Sequence, residues 1–131
     1  MRVVIDCNVL ISAGLKSDTC RRLLTEVISG HQLFVSQGIV DEYYEVASRV
    51  KFKPEEINEL KIVLSKILRV AIWVEPYFDD PVYLADKDDE IYLATAISAK
   101  ADVVITGNKR HFPSGEMVKI LTPREFLDLL I

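Results

Sequence analysis

The sequence predicts an α/β domain: a mostly parallel sheet with helices on both faces, a three-layer α/β/α sandwich. Three observations lead there. Short apolar stretches of strand length recur at Arg2 to Asp6, Leu33 to Ser36, Val70 to Val74, Asp102 to Thr106 and Met117 to Leu121. Between them, apolar residues return at helical spacing. Strand and helix therefore alternate along the chain, the pattern of βαβ units. With 131 residues, half of them hydrophobic, the chain is expected to form one domain over residues 1–131 with a substantial core.

Each element has a local reason. Arg2 to Asp6 is short, continuous and β-branched, as a buried central strand is. Asn8 to Leu15 reads as a short loop or helix. Ser17, Asp18 and Thr19 offer capping oxygens to a helix whose apolar positions are Cys20, Leu23, Leu24, Val27 and Ile28. Gly30 is its expected stop. Ser36 ends the second strand and caps a helix bearing Ile39, Val40, Tyr43, Tyr44, Val46 and Ala47. Pro54 opens another helix, with Glu55 and Glu56 at its positive dipole end. Ile57, Leu60, Val63, Leu64, Ile67 and Leu68 form its apolar stripe. Residues 75 to 88 are acidic and turn-rich around Pro76 and Pro81. Glu90 to Lys100 is a predicted helix and Gly107 to Gly115 a loop. Thr122, followed by Pro123, caps a terminal helix.

Composition excludes several classes. No apolar run approaches the roughly 20 residues of a membrane span. The opening residues do not read as a signal peptide, because Asp6 interrupts the apolar run. Cys7 and Cys20 follow no metal-ligand spacing, so a reduced cytoplasmic protein is expected. A net charge of −4 argues against a general nucleic-acid coat protein. It leaves room for an enzyme that holds nucleic acid through a cation and a local basic strip.

Four acids carry the chemistry: Asp6, Glu42, Asp89 and Glu90. Each lies where a strand ends or a helix begins. In a parallel α/β sheet those points converge on one edge, where ligands bind. Carboxylates gathered there repel one another unless a cation neutralises them, and oxygen ligands suit Mg²⁺ or Mn²⁺. Asp6 could equally cap the helix after it, and Asn8 could brace its carboxylate. Glu42 lies one and a half turns into its helix, with Asp41 and Glu45 as natural solvated neighbours. Asp89 shares a helical face with Ala96, which points it toward the sheet edge and leaves Asp88 and Glu90 more peripheral.

At these residues the chain resembles the PIN-domain nucleases, nearly end to end. Val3-Val4-Ile5-Asp6-Cys7-Asn8-Val9-Leu10 is similar to the family's opening block, and Val35-Ser36 with Glu42 to its second. Asp89-Glu90-Ile91-Tyr92-Leu93-Ala94-Thr95-Ala96 resembles the third, and Val104-Ile105-Thr106-Gly107-Asn108-Lys109-Arg110-His111-Phe112 the last. The whole looks most like members assigned as toxins of toxin–antitoxin pairs, akin to VapC. The resemblance implies a Mg²⁺- or Mn²⁺-dependent ribonuclease that hydrolyses RNA phosphodiester bonds. It implies a cognate antitoxin and a homodimer as partners. By position, Asp6, Glu42 and Asp89 match the family's metal-binding acids. Asn108 stands where many members have a fourth acid; its amide oxygen can bind a metal or orient water but brings no charge, and Glu90 or Asp86 could compensate. Cys7 stands where Thr or Ser is usual. Asn8, Lys109 and Arg110 are candidate substrate contacts.

Rival readings follow from the same residues. Asn108 and Cys7 fit a catalytically weak or inactive PIN-type domain that binds RNA or protein. A strand-end Asp also begins aspartate phosphotransfer domains, but a haloacid-type hydrolase wants an acid where Asn8 stands; Lys109 leaves a receiver-like option. His31 and His111 support no Ser-His-Asp arrangement. Arg49-Val50-Lys51-Phe52-Lys53 reads either as a backbone-binding strip or as a solvated helix end. Tyr43, Tyr44 and Tyr92 are expected to be packing residues.

Overall fold

The computed structural model describes residues 1–49, 51–76, 90–112 and 118–130. Strands are β1 (Arg2–Ile5), β2 (Gln32–Val35), β3 (Ile72–Trp73), β4 (Val103–Ile105) and β5 (Lys119–Leu121). Helices are α1 (Cys7–Leu15), α2 (Asp18–Gly30), α3 (Gln37–Ala47), α4 (Pro54–Val70), α5 (Glu90–Ser98) and α6 (Pro123–Leu129). The strands lie side by side in the order β3-β2-β1-β4-β5, every pairing parallel. From β1 the chain steps outward to β2 and β3, then returns to the other side of β1 for β4 and β5. Right-handed crossovers put the connections of those two halves on opposite faces, the predicted three-layer arrangement. Helix α5 covers β1, β2 and β4, whereas α2 and α4 lie against β2. Helix α3 touches α1, α4 and α5 and so bridges the two layers.

Burial follows the strand pattern. Val3, Val4, Ile5, Val104 and Ile105 are wholly enclosed, as central strands covered on both faces must be. The local signals work as their chemistry requires. The Ser17 side chain accepts from the Cys20 N–H, and the Ser36 side chain from the Ile39 N–H. At α6, Thr122 Oγ1 accepts from the Glu125 N–H while Glu125 Oε1 accepts from the Thr122 N–H, a reciprocal capping box. Helices α1 and α4 meet closely at Gly14, where a Cβ would come within 2.6 Å of Leu60 Cδ2.

Several boundaries differ from the sequence expectation. The segment after Asp6, read as a loop or a helix from Asn8, is a helix that begins one residue earlier, at Cys7. Helix α4 runs on through Val70, so β3 shrinks to two residues, both exposed on an edge strand. The acidic stretch ending at residue 88 lies largely outside the described residues. Helix α2 does end at Gly30, but without a left-handed glycine: its cap residue His31 is extended. Tyr44, expected to pack, is 44% exposed.

Helix α5 ends two residues earlier than predicted, through a Schellman turn. The Ala101 N–H donates to the Ala96 carbonyl at 2.8 Å and the Lys100 N–H to the Ile97 carbonyl at 3.1 Å. Lys100 takes the left-handed conformation there, at φ 53°, where L side chains are strained. Lys100→Gly should therefore raise unfolding free energy by about 0.5–1 kcal/mol, measured by urea denaturation. An unchanged or lower midpoint would show that the lysine side chain compensates for the strain.

Candidate active site at the carboxyl edge of the sheet

Among the described residues, the buried polar side chains are Asp6, Ser36, Thr95 and Thr106. Three directly follow strands: Asp6 after β1, Ser36 after β2 and Thr106 after β4. Thr95 comes from α5 and donates to Ser36 Oγ at 2.8 Å. The polar interior is thus confined to the carboxyl edge of the three central strands. That edge contains the switch point between β1 and β4, where crossovers diverge and open α/β sheets bind ligands.

Register explains the central contact. Ile5 stands opposite Ile105 in the parallel ladder, so the next residues, Asp6 and Thr106, emerge side by side. The Asp6 N–H donates to the Ile105 carbonyl at 2.9 Å, and Thr106 Oγ1 donates to Asp6 Oδ2 at 2.7 Å. Thr106 Oγ1 in turn accepts from the Asn108 N–H at 3.0 Å, which sets the start of the loop carrying Asn108. Asp6 occupies the N-cap position of α1, yet its side chain makes no capping hydrogen bond. The carboxylate is 2% exposed and braced by Thr106 rather than by Asn8, which is exposed.

Glu42 reaches this edge from α3. It is half-buried, while Asp41 and Glu45 beside it are exposed as expected. The Cys7 thiol donates to Glu42 Oε1 at 3.5 Å. Burial, reinforced by the Asp6 carboxylate, pushes that thiol far above its ordinary value, so it stays protonated. Two tyrosines close the site from behind. The Tyr43 hydroxyl donates to the Ile5 carbonyl, and the Tyr92 hydroxyl accepts from the Cys7 N–H at 3.3 Å. Their rings lie 6.5 Å apart. Helix α3 approaches α5 closely enough that a Cβ on Gly38 would meet Ile91 Cγ1 at 3.0 Å.

The remaining candidates are placed unequally. Asn108 is half-buried and opens a single 3₁₀ turn, Lys109–His111. Lys109 Nζ pairs with Glu125 Oε2 at 3.0 Å, fastening this loop to α6. Capping by Thr122 and the Lys109 ammonium hold the Glu125 carboxyl below its usual range. Arg110 is exposed. Asp89, Asp86 and Asp88 lie outside the described residues; Glu90 is half-buried at the first turn of α5. Among the described residues, no three His, Cys, Asp or Glu side chains gather at metal-binding range. Even so, the donors present fit a hard cation. They are carboxylate and amide oxygens, and the buried Asp6 carboxylate has a hydroxyl, not a cation, as its side-chain partner among the described residues.

Sequence reasoning missed Thr106 and the two tyrosine hydroxyls. A Thr ending a buried strand is a visible signal, but its partner was not. Away from this edge, a groove of about 470 Å³ lies between α2 and α4. Leu24, Ile28, Ile62 and Val63 line it, together with Arg21, Glu59 and Lys66.

The PIN domain family matches residues 2–110 of the chain. Among solved structures, one chain of VapBC2 from Rickettsia felis, bound to a DNA fragment from their promoter, superposes with a TM-score of 0.63. Identity is 16%, over 92% of this chain and 97% of that one, which is likeness of fold. No curated protein matches the sequence.

Two outcomes follow from this geometry. Thr106→Val should lose about 2 kcal/mol, since both Asp6 and the Asn108 N–H lose a buried partner, whereas Thr106→Ser should lose much less. Urea unfolding of the two variants checks this; equal losses would mean that the methyl group matters and the hydroxyl does not. Cys7, buried and protonated, should resist a thiol-specific disulfide reagent at pH 8 in the native protein and react on unfolding. Rapid labelling of Cys7 in the native state would contradict its burial.

Proposed function

The chain belongs to the PIN-domain family, and from that membership together with the acid-bearing edge we propose that it is a Mg²⁺- or Mn²⁺-dependent ribonuclease hydrolysing RNA phosphodiester bonds. The carrying observation is Asp6: a buried carboxylate at the switch point, turned away from helix capping and held by Thr106. Asp6, Glu42 and Asp89 would hold the cation. Bound there, it supplies charge stabilisation at the phosphoryl oxygens and activation of water for in-line attack. Asn108 offers a neutral amide oxygen to orient water or substrate, and Thr106 fixes both Asp6 and the Asn108 backbone. Arg110, exposed on the same loop, and Asn8, exposed at the start of α1, would meet the RNA. Lys109, paired with Glu125, would offer a phosphate its remaining N–H.

We further propose that the protein is a cytoplasmic toxin of a toxin–antitoxin pair. The groove between α2 and α4, where Leu24, Ile28, Ile62 and Val63 lie among Arg21, Glu59 and Lys66, would suit an amphipathic antitoxin segment, and a second copy of the chain is the other expected partner. None of the described helices is long and apolar enough to cross a membrane. Against the toxin reading stands a catalytically weak RNA- or protein-binding domain, favoured by the uncharged Asn108 and by Cys7 in place of a hydroxyl.

Cleavage of a labelled mixed-sequence single-stranded RNA, with Mg²⁺, Mn²⁺ or EDTA, separates the two. The wild-type chain should cut only with metal. Asp6→Asn, Glu42→Gln and Asp89→Asn should each lower the rate by more than about 100-fold while remaining folded. Undiminished cleavage by Asp6→Asn would refute the site. Asn108→Asp should tighten Mn²⁺ binding; unchanged affinity would remove Asn108 from the ligand set.

A further inference from the structure

The peptide groups on either side of Asp6 are both held by tyrosine hydroxyls. The Ile5 carbonyl lies beyond the end of the β1–β2 ladder, whose last register pair is Val3 with Leu33. The Tyr43 hydroxyl donates to it from α3. The Cys7 N–H is the first of α1 and has no partner within the helix. An N-cap side chain would serve this helix end, but the Asp6 carboxylate does not cap; the Tyr92 hydroxyl of α5 accepts from the Cys7 N–H instead. The main chain at Asp6 is therefore anchored without using its carboxylate.

Cys7 leads on to the second acid. Its N–H is held by Tyr92, and its thiol donates to Glu42 Oε1. Cys7 thus joins the two sides, with Tyr92 beside Asp6 on one and Glu42 on the other. Both Tyr92 and Cys7 are buried, neutral side chains. They can orient carboxylates without cancelling the negative charge that a cation requires, which an Arg or Lys in their place would do. Groups behind a metal ligand typically set affinity by fixing its orientation.

We propose that Tyr92 and Cys7 are positioning residues that couple Asp6 and Glu42 into one pre-oriented ligand pair. The inference rests on the metal-site reading above. Neither residue touches the substrate; both act through the two acids.

The test is Mn²⁺ titration of the full chain by calorimetry, with thermal melting in EDTA to establish that each variant is folded. Tyr92→Phe and Cys7→Ala should each weaken Mn²⁺ binding about 10-fold. Cys7→Ser, which keeps a donor, should stay within about 3-fold of wild type. Affinities of both single variants within about 2-fold of wild type would overturn the proposal. If Tyr92→Phe does not fold, the comparison of Cys7→Ala with Cys7→Ser decides alone, and equal affinities overturn it. Wild-type protein that binds no Mn²⁺ would overturn the metal-site reading together with this inference; wild-type binding with unaltered variants would overturn this inference only.

Discussion

The hydrogen bond from Thr106 to Asp6 crosses the one place in the sheet where the chain changes its direction of travel. It exists because β1 and β4, a hundred residues apart in sequence, pair in parallel with Ile5 opposite Ile105. Parallel pairing sends both strands toward the same edge, and the register sets the first residue after each at the same height. A slip by one residue would turn Asp6 and Thr106 to opposite faces. The two strands are locked by side chains wholly buried on both faces, so the register that creates the site is the register that packs the core.

Burying a carboxylate there opposes folding, because an ionised group loses its hydration. The structure offsets this only in part. Thr106 supplies a hydroxyl, while Tyr43 and Tyr92 secure the neighbouring peptide groups, and none of them brings positive charge. Such an arrangement is costly for a purely structural edge and sensible for one that receives a cation. The nearby cation Lys109 is instead tied outward to Glu125, fastening the loop to α6 without filling the site.

The candidate site and the groove are separated in space. The acids occupy the sheet edge, where helices α1, α3 and α5 converge. The groove lies between α2 and α4, where neither helix contributes an acid to that edge. The two regions communicate through α1, whose first residue, Cys7, contacts Glu42 and whose Ala13 and Gly14 line the groove.

Much of this was determined by the sequence alone. Strand and helix alternation, the caps at Ser17, Ser36 and Thr122, and the position of Asp6 at a strand end are local, and local chemistry reads directly from local residues. The family was legible because its motifs are short runs such as Ile5-Asp6-Cys7-Asn8 and Thr106-Gly107-Asn108. The short edge strand β3 was misjudged because helix α4 runs on through Val70, a boundary that β-branched residues do not mark. Only the tertiary structure decided that Asp6 faces Thr106 rather than capping its own helix, that Cys7 reaches Glu42, and that Tyr92 spends its hydroxyl on the Cys7 backbone. Each joins residues thirty-five or more positions apart. Hydrophobic periodicity tells a side chain to be buried; it does not say which distant polar atom it will meet, because that is set by strand register and helix packing.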